Sequence, residues 1–361
     1  MKKRIIITGG AGFIGSTLIK YIIKNLNENI LNLDKLTYAG SLDTVKQVLN
    51  YKDYSLETMD INDNSKVQLI IEKYKPTNII HLAAETHVDN SIDAPDDFIK
   101  TNIVGTYNLL QSSLKYWKNL DGRNKDKFLF QHVSTDEVYG SLDFESNSFT
   151  EKTAYDPSSP YSASKASSDH LVRAWNKTFN LPTIITNCSN NYGPYQFPEK
   201  LIPLTIIKIL RNEKIPLYGN GRQIRDWLHV EDHAEGIVKV MLDGKSGETY
   251  NIGGNNELSN LDLVELICEI LSELNKNQKI IKNKNPKELI SFVKDRPAHD
   301  IRYAINTEKI NNELRWKPKI KFKDGLKKTI IWYLENQIWW KNILDKDNKA
   351  IIRKGINNYG L

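Results

Sequence analysis

The sequence predicts an α/β protein: a doubly wound parallel sheet with a smaller C-terminal region folded over its carboxyl edge. Three observations predict it. An apolar strand at residues 4–8 runs straight into a glycine-rich turn and then a helix-periodic stretch. Short apolar runs recur at 30–33, 54–59, 78–82 and 128–133 between helical patterns, the alternation that builds parallel sheets. The last run ends in Ser134-Thr135-Asp136-Glu137, and strand ends are where open α/β sheets place ligands.

The length of 361 residues suits one large domain or two smaller ones. An apolar share of 40% with 26% charged residues is that of an ordinary globular protein. The net charge of +6 is spread along the chain, and no basic stripe with interleaved aromatics argues for nucleic acid. Cys188 and Cys268 stand far apart without a CxxC partner, which predicts a reducing, cytoplasmic setting and no disulfide framework. The basic start followed by Ile5-Ile6-Ile7 is cut short by Gly9 and Gly10, too early for a secretory leader. No apolar run approaches the ~18 residues of a membrane span. No cluster suggests a metal site.

In the first turn, Gly9, Gly12 and Gly15 have mechanical tasks: a tight bend, close backbone approach to a pyrophosphate, and helix-on-strand packing. The helix from about residue 16 to 25 offers unpaired N–H groups to phosphate oxygens. Asp34 ends the next strand, 19 residues after Gly15, where a carboxylate bonds a ribose 2′-hydroxyl and repels a 2′-phosphate. NAD is therefore expected over NADP, with Lys35 weakening the preference slightly. Asp60 is a similar strand-end acid that could reach the adenine side. After the strand 78–82, the small Ala83 and Ala84 allow a dinucleotide to approach. Glu85 and Thr86 follow and could face cofactor or substrate. His87 is assigned no chemical role. Residues 97–115 read as one long helix, with Ile99, Ile103, Tyr107 and Leu110 on one stripe.

Thr135, Asp136 and Glu137 face a crevice if the strand 128–133 ends there. A lone Thr-Asp-Glu is ordinarily a turn. Two adjacent carboxylates repel, which pushes at least one proton affinity upward. An acid and a base side by side suit elimination of water. Tyr161 and Lys165 then open a helix capped by Ser158 or Ser159, and their i, i+4 spacing puts them on one face. An ammonium near a phenol is expected to lower its pKa, making Tyr161 a base toward a sugar hydroxyl, and Lys165 can also bond ribose hydroxyls.

Beyond the strand 182–186, the run Asn187 to Pro194 is rich in Asn, which both donates and accepts. Glu199 and Lys200 open a further helix. Residues 215–219 form a short strand able to sandwich a base. Lys200, Arg222, Arg225 and Arg296 are candidate pyrophosphate partners, since guanidinium forks match phosphate oxygens. Cys188 reads as a buried filler. Asp232 and His233 read as a charged pair beginning a helix, in capping and packing roles, and Ser259 as the cap of an amphipathic helix to 274. Trp332, Trp339 and Trp340 predict a covering helix followed by a mobile end.

The sequence is similar to the extended short-chain dehydrogenase/reductases, and within them to the dTDP-glucose 4,6-dehydratases. The matching stretches are GGAGFIGS (9–16), HLAAETHVD (81–89), HVSTDEVYG (132–140), YSASKASSDH (161–170), NCSNNYGPYQFPEKLIPL (187–204), RDWLHVEDH (225–233) and DRPAHD (295–300). They span nearly the whole chain, and the acid pair after Thr135 separates them from epimerases sharing the other motifs. The family usually carries Gly where Ala298 stands, which puts that loop's fine geometry in question.

The resemblance implies a Rossmann domain over residues 1–187 that carries the catalytic residues. A nucleotide-sugar region follows at 188–330, interleaved with the sheet, then a helix and tail at 331–361. It implies a cofactor set extended by Phe13, Ile14, Thr37, Ile61, Leu82, Thr101 and Asn190. It implies a substrate set of Glu85, Thr86, Thr135, Asn190, Asn191 and Glu199, with Lys200 and Leu201 against the nucleotide. Pro216, Tyr218, Arg222, Arg225, Asn256, Arg296 and His299 complete it. Tyr161 would take the proton from the glucose C4 hydroxyl, held by Thr135, while hydride passes to NAD. Glu137 would remove the C5 proton and Asp136 would protonate the departing C6 hydroxyl, before hydride returns to C6. A homodimer, packed through the helix of Tyr161 and the segment 97–115, is also implied. The rival readings are a dehydratase for another nucleotide sugar, a 4-epimerase, and a non-catalytic NAD-binding regulator.

Overall fold

The structure, a computed structural model, describes residues 2–278 and 280–346. Its strands are β1 (Arg4–Thr8), β2 (Asn29–Asp34), β3 (Tyr54–Thr58), β4 (Asn78–His81), β5 (Leu129–Thr135) and β6 (Thr183–Cys188), then β7 (Asn190–Tyr192), β8 (Ile215–Tyr218), β9 (Ile224–His229), β10 (Thr249–Ile252), β11 (Glu257–Ser259) and β12 (Ile290–Val293). Seven of them make one sheet in the order β10-β6-β5-β4-β1-β2-β3, and every pairing in it is parallel. Helices cover both faces, so the central strands are buried on both sides and read as continuous apolar runs rather than alternating ones. Ile5, Ile6 and Ile7 of β1 are each wholly buried.

The chain leaves β1 toward β2 and β3, then crosses back to β4 on the other flank of β1. That reversal opens a crevice beyond the carboxyl ends of β1 and β4. The later part of the chain contributes β10 to the same sheet, with Thr249 opposite Ile185 and Ile252 opposite Cys188. It also builds a three-stranded sheet, β11-β9-β7, and a parallel pair, β12-β8. A separate apolar core joins Ile202, Ile206, Trp227, Ile267, Leu326 and Trp340.

Three expectations are corrected. The first helix starts at Phe13, not near residue 16. The long helix at 97–115 is a short turn at Pro95–Phe98, a π-helical segment at Ile99–Gly105 and an α-helix at Thr106–Lys118. The Asn102 side chain is the physical reason: its Oδ1 accepts from Glu85 N at 2.9 Å and its Nδ2 donates to Ser164 Oγ at 2.8 Å. Its carbonyl accepts Thr106 Oγ1 at 2.5 Å and Ser168 Oγ at 2.6 Å. The wider turn rotates the expected stripe, so Leu110 is buried while Ile99 and Tyr107 stay 49% and 43% exposed.

Asp232 and His233 are not a charged pair. His229 caps their helix, accepting from Glu231 N. Asp232 accepts from Lys319 N and Ile320 N. Burial pulls His233 down to about 3, so it is neutral, and it bonds Asn191 Oδ1 at 2.8 Å. Ser259 Oγ accepts from Asp262 N at the start of the helix Asn260–Gln278. Trp332 and Trp339 belong to the helices Phe322–Glu335 and Gln337–Lys346; the expected tail beyond 346 lies outside the described residues.

Candidate active site

A cavity of about 330 Å³ runs along the carboxyl ends of β2, β1, β4, β5 and β6. The turn after β1 forms its floor. Gly9 has φ +72°, and a Cβ there would stand 2.8 Å from the Ala83 backbone beyond β4. A Cβ on Gly15 would stand 2.2 Å from the Gly9 carbonyl oxygen, so helix and strand meet only through glycine. Gly12 is the N-cap of the helix Phe13–Asn25, with no side-chain cap and no acid in the first turn. That leaves its N–H groups and positive dipole end facing the cavity, ready for an anion.

Asp34 accepts from Ala11 N and Leu36 N, both at 2.8 Å, and burial raises its pKa. Lys35 pairs with Asp60 at 2.7 Å. Gly12, Phe13, Ile14, Gly15, Asp34, Lys35, Thr37, Asp60 and Ile61 stand on the wall, and so do Leu82, Ala83, Ala84 and Thr101. These groups fit a dinucleotide. Backbone N–H groups await a pyrophosphate, a carboxylate stands at the ribose distance in sequence, and small residues flank the crevice. Asn190, whose Oδ1 is buried with no partner, lies on the same wall.

β5 delivers the acid pair. Its last residue, Thr135, caps a 3-10 turn at Asp136–Tyr139 by accepting from Glu137 N at 3.3 Å. Thr135 Oγ1 also donates to Asp136 Oδ1 at 3.4 Å, and Asp136 Oδ2 is buried without a partner. Burial first, then the charge of Glu137, lifts Asp136 well above the carboxylate range. Burial also raises Glu137, but Arg296, Arg225 and Lys200 pull it back. The two neighbours therefore differ: Asp136 keeps its proton and Glu137 is the readier base, a division the sequence left open.

Tyr161 and Lys165 come from the helix Pro160–Phe179, which Ser159 and Ser162 start with a reciprocal capping box. The phenol is not depressed. Burial, then Glu137, pushes Tyr161 well above its usual value, and a hydrogen bond with Thr135 opposes this. The expected help from Lys165 is missing because its ammonium is directed elsewhere, donating to Val133 O at 2.9 Å. Burial lowers Lys165 itself to about 8.

Of the expected substrate residues, Glu85, Thr86, Asn190, Asn191, Glu199 and Lys200 stand on the cavity wall with Thr135. Burial lifts Glu199 to about 7, and it faces His87 at 3.4 Å. The others are held apart from that wall. Arg296 pairs with Asp89 at 3.2 Å, and Tyr218 donates to the same carboxylate at 2.9 Å. His299 bonds Asp295 at 2.6 Å. Arg225 donates to the carbonyls of Ile224 and Asp300 and lies over the Tyr303 ring. Asn256 bonds Gly254 O at 2.6 Å, Arg222 is exposed, and Leu201 and Pro216 are half-buried. Reading the sequence missed Ser134, Ser189 and Gln196 on the wall. All three lie inside the quoted stretches 132–140 and 187–204; strand-end geometry marks Ser134 and Ser189, while no chemical reading attaches to Gln196.

A family model described as GDP-mannose 4,6 dehydratase matches residues 6–329. The chain is 55% identical to a dTDP-glucose 4,6-dehydratase of Salmonella typhimurium, over 94% of this chain and 95% of that one. Two solved structures resemble it closely. One is a dTDP-glucose 4,6-dehydratase of Bacillus anthracis in complex with NAD, with TM-score 0.82, 43% identity, and coverage of 94% of this chain and 99% of that one. The other is a dTDP-glucose 4,6-dehydratase of Streptomyces venezuelae with NAD bound, with TM-score 0.85, 39% identity and the same coverage.

Proposed function

The chain belongs to the dTDP-glucose 4,6-dehydratase family, and from that premise we propose that it converts dTDP-glucose to dTDP-4-keto-6-deoxyglucose with NAD as resident cofactor. The observation that carries this is the divided acid pair at the end of β5, in one cavity with Tyr161 and Lys165. An epimerase has no use for a protonated carboxyl beside a charged one.

Bound NAD supplies a hydride acceptor at C4 and the hydride donor at C6. The chain's own groups do the rest. Thr135 holds the C4 oxygen and Tyr161 takes its proton; burial, then the Glu137 charge, keeps that phenol protonated, and the positive charge that NAD would bring favours the phenolate. The ketone so formed acidifies C5–H, which Glu137 removes. Asp136, kept neutral by burial, protonates the C6 hydroxyl as water leaves. Lys165 and Asp34 hold ribose hydroxyls, and Lys200 with Arg296 faces the nucleotide's phosphates. Residues 1–187 serve as the cofactor-binding domain, 188–330 as the nucleotide-sugar region, and 331–346 as its cover. Incubation with dTDP-glucose is expected to give the 4-keto-6-deoxy sugar, detected by its absorbance in alkali. Product from another nucleotide sugar but not from this one would overturn the substrate while leaving the chemistry.

The same reading includes a homodimer. Ile99, Val104, Tyr107 and Phe179 are exposed apolar side chains on the two helical segments that the resemblance implies would pack against a partner's copies, and buried free cysteines accord with a cytoplasmic setting. No helix among the described residues is long and apolar enough to cross a membrane. Sedimentation is expected to return twice the chain mass; a monomer at every concentration would remove the dimer.

A further inference from the structure

Tyr161, Lys165 and Asp169 are spaced by four, so one stripe of the helix carries all three. Asp169 does not line the cavity. It is wholly buried behind it, with Lys165 4% and His132 1% exposed. Its Oδ2 accepts from Ser134 Oγ at 3.0 Å and from Tyr155 OH at 2.8 Å. Its Oδ1 lies 3.3 Å from His132 Nε2. The same Nε2 lies 3.4 Å from Lys165 Nζ, so one imidazole edge stands between a carboxylate and an ammonium. A buried carboxylate is costly unless charge and hydrogen bonds answer it. Here two hydroxyl donors and a lysine do so. The proposed reaction uses neither His132 nor Asp169.

We propose that Asp169, acting across His132, is the positioning residue for Lys165: it holds the ammonium charged and against the Val133 carbonyl at the end of β5, beside the proposed base Tyr161. Other ionisable groups lie within reach of the Lys165 charge on β4, β5 and β6. His81 on β4 lies under its charge, and burial keeps that imidazole neutral. His132 on β5 is lowered to about 4 by burial and then by Lys165. Cys188 at the end of β6 is held as a thiol by burial. Tyr155, before the helix, is a neutral donor. Asp169 is the carboxylate that opposes the burial of Lys165.

The sign follows. Removing an adjacent negative charge makes an ammonium easier to deprotonate, and activity needing the ammonium is lost as pH rises through its pKa. In Asp169→Asn the alkaline limb of kcat/KM should move down by roughly one to three pH units. Asp169→Glu should restore it, with KM for dTDP-glucose within about twofold. A uniform loss at all pH values, with the limb unmoved, would overturn the proposal and leave Asp169 a packing residue. Should Asp169→Asn not fold, the ¹³Cε resonance of Lys165 in labelled wild-type and Asp169→Ser enzyme, identified by its loss in Lys165→Arg, decides. A midpoint lower in Asp169→Ser than in wild type agrees; an equal or higher midpoint overturns the proposal. The kinetic arm rests on the dehydratase reading. An inactive wild type indicts that reading, whereas an active wild type with an unmoved limb indicts only this one.

Discussion

The cofactor side and the nucleotide side of the cleft are built differently. On the first, every expected residue from Gly9 to Thr101 stands on one cavity wall, held by backbone: a turn closed by glycine, and strand ends in parallel register. On the second, the charged groups are engaged with one another, Arg296 with Asp89, His299 with Asp295 and Arg225 with main-chain carbonyls. A site made of main chain is preformed. A site made of long side chains on loops is satisfied internally until a ligand offers a better partner. The difference teaches that the sugar nucleotide meets side chains already engaged with one another, while the dinucleotide meets mostly main chain, with Lys35–Asp60 the ion pair on its side.

The comparison can be broken at several points. The largest effect is expected where the two sides meet. Glu137→Gln should lower turnover by about a thousandfold while reduced cofactor still forms from dTDP-glucose, read by its absorbance in a single turnover. Equal loss of both signals would remove Glu137 from the C5 step. Arg296→Ala should raise KM for dTDP-glucose by roughly ten- to a hundredfold, the worth of one charged hydrogen bond, and leave cofactor content intact. Loss of bound NAD instead would erase the division between the two sides.

Charge on the nucleotide side should also be felt by the acid pair. Glu137 is raised by burial and held down in part by Lys200. Its base form accumulates as pH rises through its pKa, so activity falls on the acid side. Lys200→Met should move that acid limb to higher pH, measured as kcat/KM against pH; a limb that stays or moves down would contradict the arrangement. The smallest effect concerns the loop of Arg296. Ala298 has φ +50°, which costs about 1 kcal/mol for a residue with a Cβ. Ala298→Gly should raise Tm by about 1 °C, and no gain in a melting curve would show the loop to be relaxed already.

The same contrast explains what could be read from the chain. The glycine turn, Asp34, the acid pair and the Tyr161–Lys165 spacing were legible because strand ends and helix periodicity place side chains by arithmetic. The order of proton affinities was not, since it depends on Arg225 and Arg296, far along the chain from Glu137. The phenol was misjudged for a related reason: spacing put Lys165 on the face of Tyr161, but the Val133 carbonyl on another element took its ammonium. The π-helical segment was hidden because its cause is a tertiary bond from Asn102 to Ser164.

β10 has a consequence for synthesis. The strand that flanks β6 emerges some sixty residues after it, several seconds later at ordinary elongation rates. Until then the dinucleotide cradle's sheet ends on the six-residue β6 rather than the four-residue β10, a longer open edge for a passing strand. Chaperone occupancy on the ribosome should therefore peak after residue 188 has left the tunnel and fall once residue 252 has.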